Sequence, residues 1–129
     1  MKNIPFFTFE HMHPPLREEM TKAFQACYDS GWLVLGEGIK RFEKSYAEYS
    51  GTAHAITVAD GLDALVLALQ ALGIGEGDEI IAPSNTYIAT WLAATQLGAK
   101  IVPVEPDERT FNIDVTRIEA AVTSKTRAI

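Results

Sequence analysis

Apolar residues recur along this chain in two rhythms, and the change from one to the other divides it. From Pro14 to about Asp29, the residues Leu16, Met20, Phe24, Cys27 and Tyr28 fall on one face of a helix, opened by Pro14-Pro15 and stopped at Gly31. Ile39, Phe42, Tyr46 and Tyr49 repeat that spacing, and Ser50-Gly51 ends the second helix. From Ala53 onward short apolar runs alternate with Ala- and Leu-rich helical stretches. The pattern predicts a strand over 53–59, a helix over 61–72, a strand over 79–83, a helix over 86–97, a strand over 100–105 and a helix over 114–122. Thr126-Arg127-Ala128-Ile129 then begins a fourth strand. Short Gly-rich connections such as Gly73-Ile74-Gly75-Glu76-Gly77-Asp78 indicate parallel strands with right-handed crossovers, an α/β class.

Two segments follow from this change of rhythm: 1–51, an arm with two helices and a loop, and 52–129, the beginning of an α/β domain. Residues 3–13 hold Pro5, aromatics and the pair His11 and His13 without periodicity, so they read as an extended arm. Gly31-Trp32-Leu33-Val34-Leu35-Gly36-Glu37-Gly38 combines large apolar side chains with glycines, which suits close approach to a ligand or partner chain and equally a buried connector. Because an α/β sheet rarely stops on half a strand, the sequence is expected to be the amino-terminal part of a longer protein.

Composition narrows the function. The chain has 129 residues, 47% of them hydrophobic, enough for one core. A net charge of −6 and a pI near 5.0 argue against nucleic acid or an anionic membrane as partner, so an anionic ligand must be held locally. No stretch approaches the roughly 20 apolar residues of a membrane span, and the amino terminus does not resemble a signal peptide, so a cytoplasmic location is expected. Cys27 is the single cysteine and falls on the apolar side of the first helix, which favours a structural role. His11 and His13 lack a third ligand, so no metal site is expected.

Ligands of open parallel sheets collect beyond the carboxyl ends of the strands. The residues there are Asp60-Gly61-Leu62, Ser84-Asn85-Thr86-Tyr87 and Glu105-Pro106-Asp107. The first set opens a helix whose unbonded amides could seat an anion, although Asp60 and Asp63 already complement the dipole there, and a capped helix without ligand is the alternative. The second offers two hydroxyls, an amide and a ring that could bond and stack on a polar heteroaromatic ligand. Alternatively, Ser84 or Asn85 caps the next helix while Tyr87 packs inside.

Taken together, Gly31-Trp32-Leu33-Val34-Leu35-Gly36, Ile39-Lys40-Arg41-Phe42-Glu43, Gly61-Leu62-Asp63-Ala64-Leu65, Gly75-Glu76-Gly77-Asp78-Glu79 and Pro83-Ser84-Asn85-Thr86-Tyr87-Ile88-Ala89-Thr90 resemble, in order and spacing, the DegT/StrS family of nucleotide-sugar aminotransferases. The resemblance implies part of a fold type I transferase dependent on pyridoxal 5′-phosphate, assembled as a homodimer. It implies a nucleotide-sugar substrate, closest to the branch that aminates C3 of dTDP-3-keto-6-deoxyhexoses, and glutamate as the amino donor. The cofactor phosphate would lie at Gly61 and Leu62, with Asp60 and Asn85 nearby, and the pyridine ring would stack on Tyr87. Trp32, Leu33 and Gly36 would lie near the sugar nucleotide. Leu62 stands where many relatives have Thr, and Asp60 where that branch usually has Asn. None of Lys2, Lys22, Lys40, Lys44, Lys100 and Lys125 matches the family's Schiff-base lysine, so no catalytic residue is assigned and this chain alone is expected to be inactive.

Overall fold

Two prolines and an αL glycine bracket the first helix. In the computed structural model, which describes residues 4–129, α1 runs His13–Ser30 with proline in its first turn and ends on Gly31 at φ +66°, whose amide donates to the Tyr28 carbonyl. Helix α2, Glu37–Ser50, ends the same way at Gly51, φ +67°. Both belong to a unit reaching Thr57, and a second unit spans Val58–Ile129. Lys2 lies outside the described residues.

In the first unit no residue of α1 is buried, and Ala47 of α2 is. Cys27, expected inside, is exposed. Its apolar neighbours on the helix, Met20, Phe24 and Tyr28, are exposed as well. The expected strand over 53–59 is also absent. A strand exists only through the ladder bonds of a neighbour, and the described sheet brings none to this stretch. Instead Glu43 of α2 accepts from both the amide and the hydroxyl of Thr57, each at 2.8 Å. These bonds hold the Glu43 carboxyl below its ordinary range.

The second unit is built as the alternation predicts. It contains α3 (Gly61–Ala71), β1 (Glu79–Pro83), α4 (Ala89–Gln96), β2 (Lys100–Val104), a 3₁₀ turn (Val115–Arg117), α5 (Ile118–Ala121) and β3 (Thr126–Ala128). The strands are parallel in the order β2-β1-β3, with Glu79 opposite Lys100 and Thr126. Central β1 is buried along Glu79-Ile80-Ile81-Ala82, as a strand covered on both faces requires, while Pro103, which can donate no ladder bond, sits on outer β2. Ile80, Ile74, Ala94 and Ala99 form the core, with Leu69, Ile101 and Ala128 against it. The small buried Ala93 and Ala94 let α4 lie close to β1 and β2. Complete burial of Ile81 contributes about 1.5–3 kcal/mol.

At the amino ends of the strands buried Glu79 joins all three. Its carboxylate accepts from Thr123 Oγ1 at 2.6 Å and Lys100 Nζ at 3.0 Å, while its amide donates to the Lys125 carbonyl at 2.9 Å. The Thr123 bond first, then the Lys100 bond, keeps this carboxyl below its ordinary range.

Two helices are shorter than their periodicity predicts. Helix α4 starts at Ala89 instead of residue 86, with Ile88 at its N-cap and no side-chain cap from Ser84 or Asn85; its opening turn closes through Thr90 N–H to the Tyr87 carbonyl, and the Thr86 hydroxyl meets Thr90 Oγ1 at 3.1 Å. Over 114–122, the Asp114 carboxylate accepts from the Thr116 amide (3.0 Å) and Arg117 Nε (3.0 Å), tightening the start into a 3₁₀ turn before the four residues of α5.

Candidate active site

The start of α3 is set by one carboxylate. Asp60, in extended backbone at φ −158°, accepts the Asp63 amide on Oδ1 at 2.9 Å, and its carbonyl takes the Ala64 amide at 3.0 Å. The amides of Gly61 and Leu62 have no partner among the described residues. Open space lies where a Cβ of Gly61 would stand. Those amides are at the positive end of the helix dipole, the arrangement that holds an anion.

Helix α3 packs on α4, and between their amino ends opens a cleft of about 540 Å³. Asp60, Gly61, Leu62 and Leu65 line one side; Tyr87, Ile88, Ala89 and Thr90 line the other. Tyr87 is 80% exposed, so its ring face is free to stack. No lysine is among the lining residues.

The structure thus brings Asp60, Gly61, Leu62 and Tyr87 together, and it puts Asn85 elsewhere. Asn85 lines a second cleft of about 550 Å³ with Glu105, Asp107, Phe111 and Arg117. In that loop Asp107 accepts from Thr110 N–H (2.9 Å) and Oγ1 (3.0 Å), bonds that lower its pKa and frame Phe111 at φ +58°. Trp32, Leu33 and Gly36 belong to the first unit, where Trp32 Nε1 donates to the Val34 carbonyl at 2.6 Å and Leu35 takes φ +53°. A Cβ on Gly36 would stand 3.1 Å from the Trp32 carbonyl, so any side chain there would press on that carbonyl. Thr90 is the cleft residue that sequence reasoning left without a role. Its position three residues after Tyr87, one helical turn further on, was the available signal.

Among the described residues no cluster of His, Cys, Asp and Glu could hold a metal ion, and no helix is long and apolar enough to cross a membrane.

A sequence profile of the DegT/DnrJ/EryC1/StrS aminotransferase family matches residues 14–129. The chain belongs to this family. Over 126 residues it is 46% identical to dTDP-3-amino-3,6-dideoxy-alpha-D-galactopyranose transaminase of Aneurinibacillus thermoaerophilus, covering 98% of this chain and 35% of the relative. It is 42% identical over 127 residues to the erythromycin biosynthesis sensory transduction protein EryC1 of Saccharopolyspora erythraea, covering 98% of this chain and 35% of that one. The crystal structure of DesV from S. venezuelae superposes with a TM-score of 0.92 at 45% identity, over 98% of this chain and 34% of that one. The chain therefore spans about a third of the length of the curated relatives it matches, and its fold is the corresponding part of a fold type I aminotransferase.

The cofactor implied for DegT/DnrJ/EryC1/StrS enzymes is pyridoxal 5′-phosphate, and the cleft fits part of it. Two free amides at a helix start suit a phosphate, and an exposed ring in the same cleft suits one face of a pyridine. Asp60 stays on the same turn, its Oδ1 engaged with the Asp63 amide.

Proposed function

We propose that this chain is the amino-terminal third of a pyridoxal 5′-phosphate-dependent aminotransferase, working as a homodimer. The reaction converts a nucleotide-linked keto sugar, of the dTDP-3-keto-6-deoxyhexose class, to its amino sugar with glutamate as donor. The observation that carries this reading is the cleft between α3 and α4, where the unpartnered amides of Gly61 and Leu62 share one cavity with the exposed ring of Tyr87. Identity of 46% to a dTDP-amino-sugar transaminase supports the substrate class.

When bound, the cofactor supplies an electron sink for a carbanion next to nitrogen. The residues of this chain hold it. Gly61 and Leu62 would donate backbone N–H groups to the phosphate and Tyr87 would cover one ring face, with the apolar Leu62, Leu65 and Ile88 lining the same cleft. Asp60 orders the turn by capping the Asp63 amide. Trp32, Leu33 and Gly36 form the loop assigned to the sugar nucleotide. We assign the reacting lysine to sequence outside these residues; that no lysine lines the cleft supports this reading.

The test is spectroscopic. The full-length protein that contains this chain should show a bound-cofactor absorbance band that shifts on addition of glutamate and returns on addition of the keto sugar nucleotide. Absence of the band would overturn the assignment. A regulator of the same fold is the second reading, favoured by the name of the EryC1 relative, and a band that is present but silent to glutamate would support it.

A further inference from the structure

We propose that Thr90 is a cofactor-binding residue, and that its hydroxyl supplies to the phosphate the side-chain donor that position 62 lacks. This rests on the aminotransferase reading above. At position 62 this chain has Leu, so the start of α3 offers backbone amides and no side-chain hydroxyl to the anion. The same cleft contains one other hydroxyl besides that of Tyr87, namely Thr90, half-buried in the first turn of α4 and across from Gly61 and Leu62.

The environment of that hydroxyl suits a donor role. A hydroxyl donates once and accepts twice. Thr90 Oγ1 lies 3.1 Å from Thr86 Oγ1, and Thr86 does not line the cleft. If Thr86 donates, Thr90 becomes the acceptor of that bond and its own proton is left for a ligand in the cleft. The pair is then a two-hydroxyl relay with Thr86 as the positioning residue.

Thr90→Val keeps the shape and removes the hydroxyl. In the full-length holoenzyme it should weaken cofactor affinity about tenfold, the effect of losing a hydrogen bond to a charged group, and move the ³¹P resonance of the bound phosphate. Thr90→Ser should restore both, and Leu62→Thr in the Thr90→Val background should recover most of the affinity by returning a hydroxyl at position 62. Thr86→Val should weaken binding less than Thr90→Val. Unchanged affinity in Thr90→Val overturns the inference, as does a loss of affinity with the ³¹P resonance unmoved, which would mark a packing role. A wild-type protein without a cofactor band overturns the underlying enzyme reading instead, so the two failures are distinguishable.

Discussion

Helix α1 and strand β1 both present large apolar side chains, yet none of the 18 residues of α1 is buried while four of the five in β1 are. Phe24 and Ile81 make the contrast concrete, at 69% and 1% exposed. What separates them is supply of neighbours. β1 lies between two strands with α4 packed against it, whereas Met20, Phe24 and Tyr28 on the apolar face of α1 stay exposed among the described residues. Periodicity therefore identifies which face of an element is apolar, and says nothing about whether the same chain provides its cover.

The largest effect should come from the buried side of this contrast. Ile81→Ala should destabilise the chain by about 2–5 kcal/mol, read as a lower urea midpoint at unchanged slope. Phe24→Ser in the same assay should stay within about 0.5 kcal/mol, because an exposed side chain loses little on truncation. Equal losses at the two positions would break the comparison.

Next in size is the cap of α3. Asp60→Ala should cost about 1 kcal/mol of stability by freeing the Asp63 amide. Asp60→Asn keeps an acceptor and removes a negative charge beside the anion seat, so it should preserve stability and tighten pyridoxal 5′-phosphate binding in the full-length protein by about two- to fivefold. Looser binding in Asp60→Asn would place the phosphate elsewhere.

A smaller and pH-dependent effect is expected at Glu79. Its carboxyl sits below the ordinary value of 4.5 in the folded state, so its bonds to Thr123 and Lys100 contribute stability above that pH, and the contribution is lost as pH falls through the folded value. Thermal midpoints followed from pH 7 down to about 3.5 should fall more steeply for the wild-type chain than for Glu79→Gln. Parallel curves would remove Glu79 as the joint between the three strands.

Much of the second unit is legible in the amino-acid sequence. The apolar run at 79–83 and the glycines and acids between 73 and 78 specify a buried strand and its turn, and Asp60-Gly61 marks a helix start unambiguously. The cap at Asp60 and the free amides of Gly61 and Leu62 are legible for the same reason, since both are local properties. The separation of Asn85 from Tyr87 was not legible. Two residues apart on a loop, they line different clefts, Asn85 with the residues of the turn after β2 and Tyr87 with those at the start of α3. Thr90 is not legible as a cleft residue because a threonine in a helix's first turn carries no local mark of the element it faces.

Local signals by themselves determined the helices, their glycine stops, the α/β alternation and the carboxylate that opens α3, because propensity, capping and turn chemistry act within a few residues. Tertiary structure alone decided that 53–59 has no ladder, that Cys27 is exposed, and that Thr90 shares a cleft with Gly61 and Leu62. Each of those depends on what another part of the chain brings alongside, and burial, strand pairing and cleft formation are properties of pairs of elements and not of any single stretch.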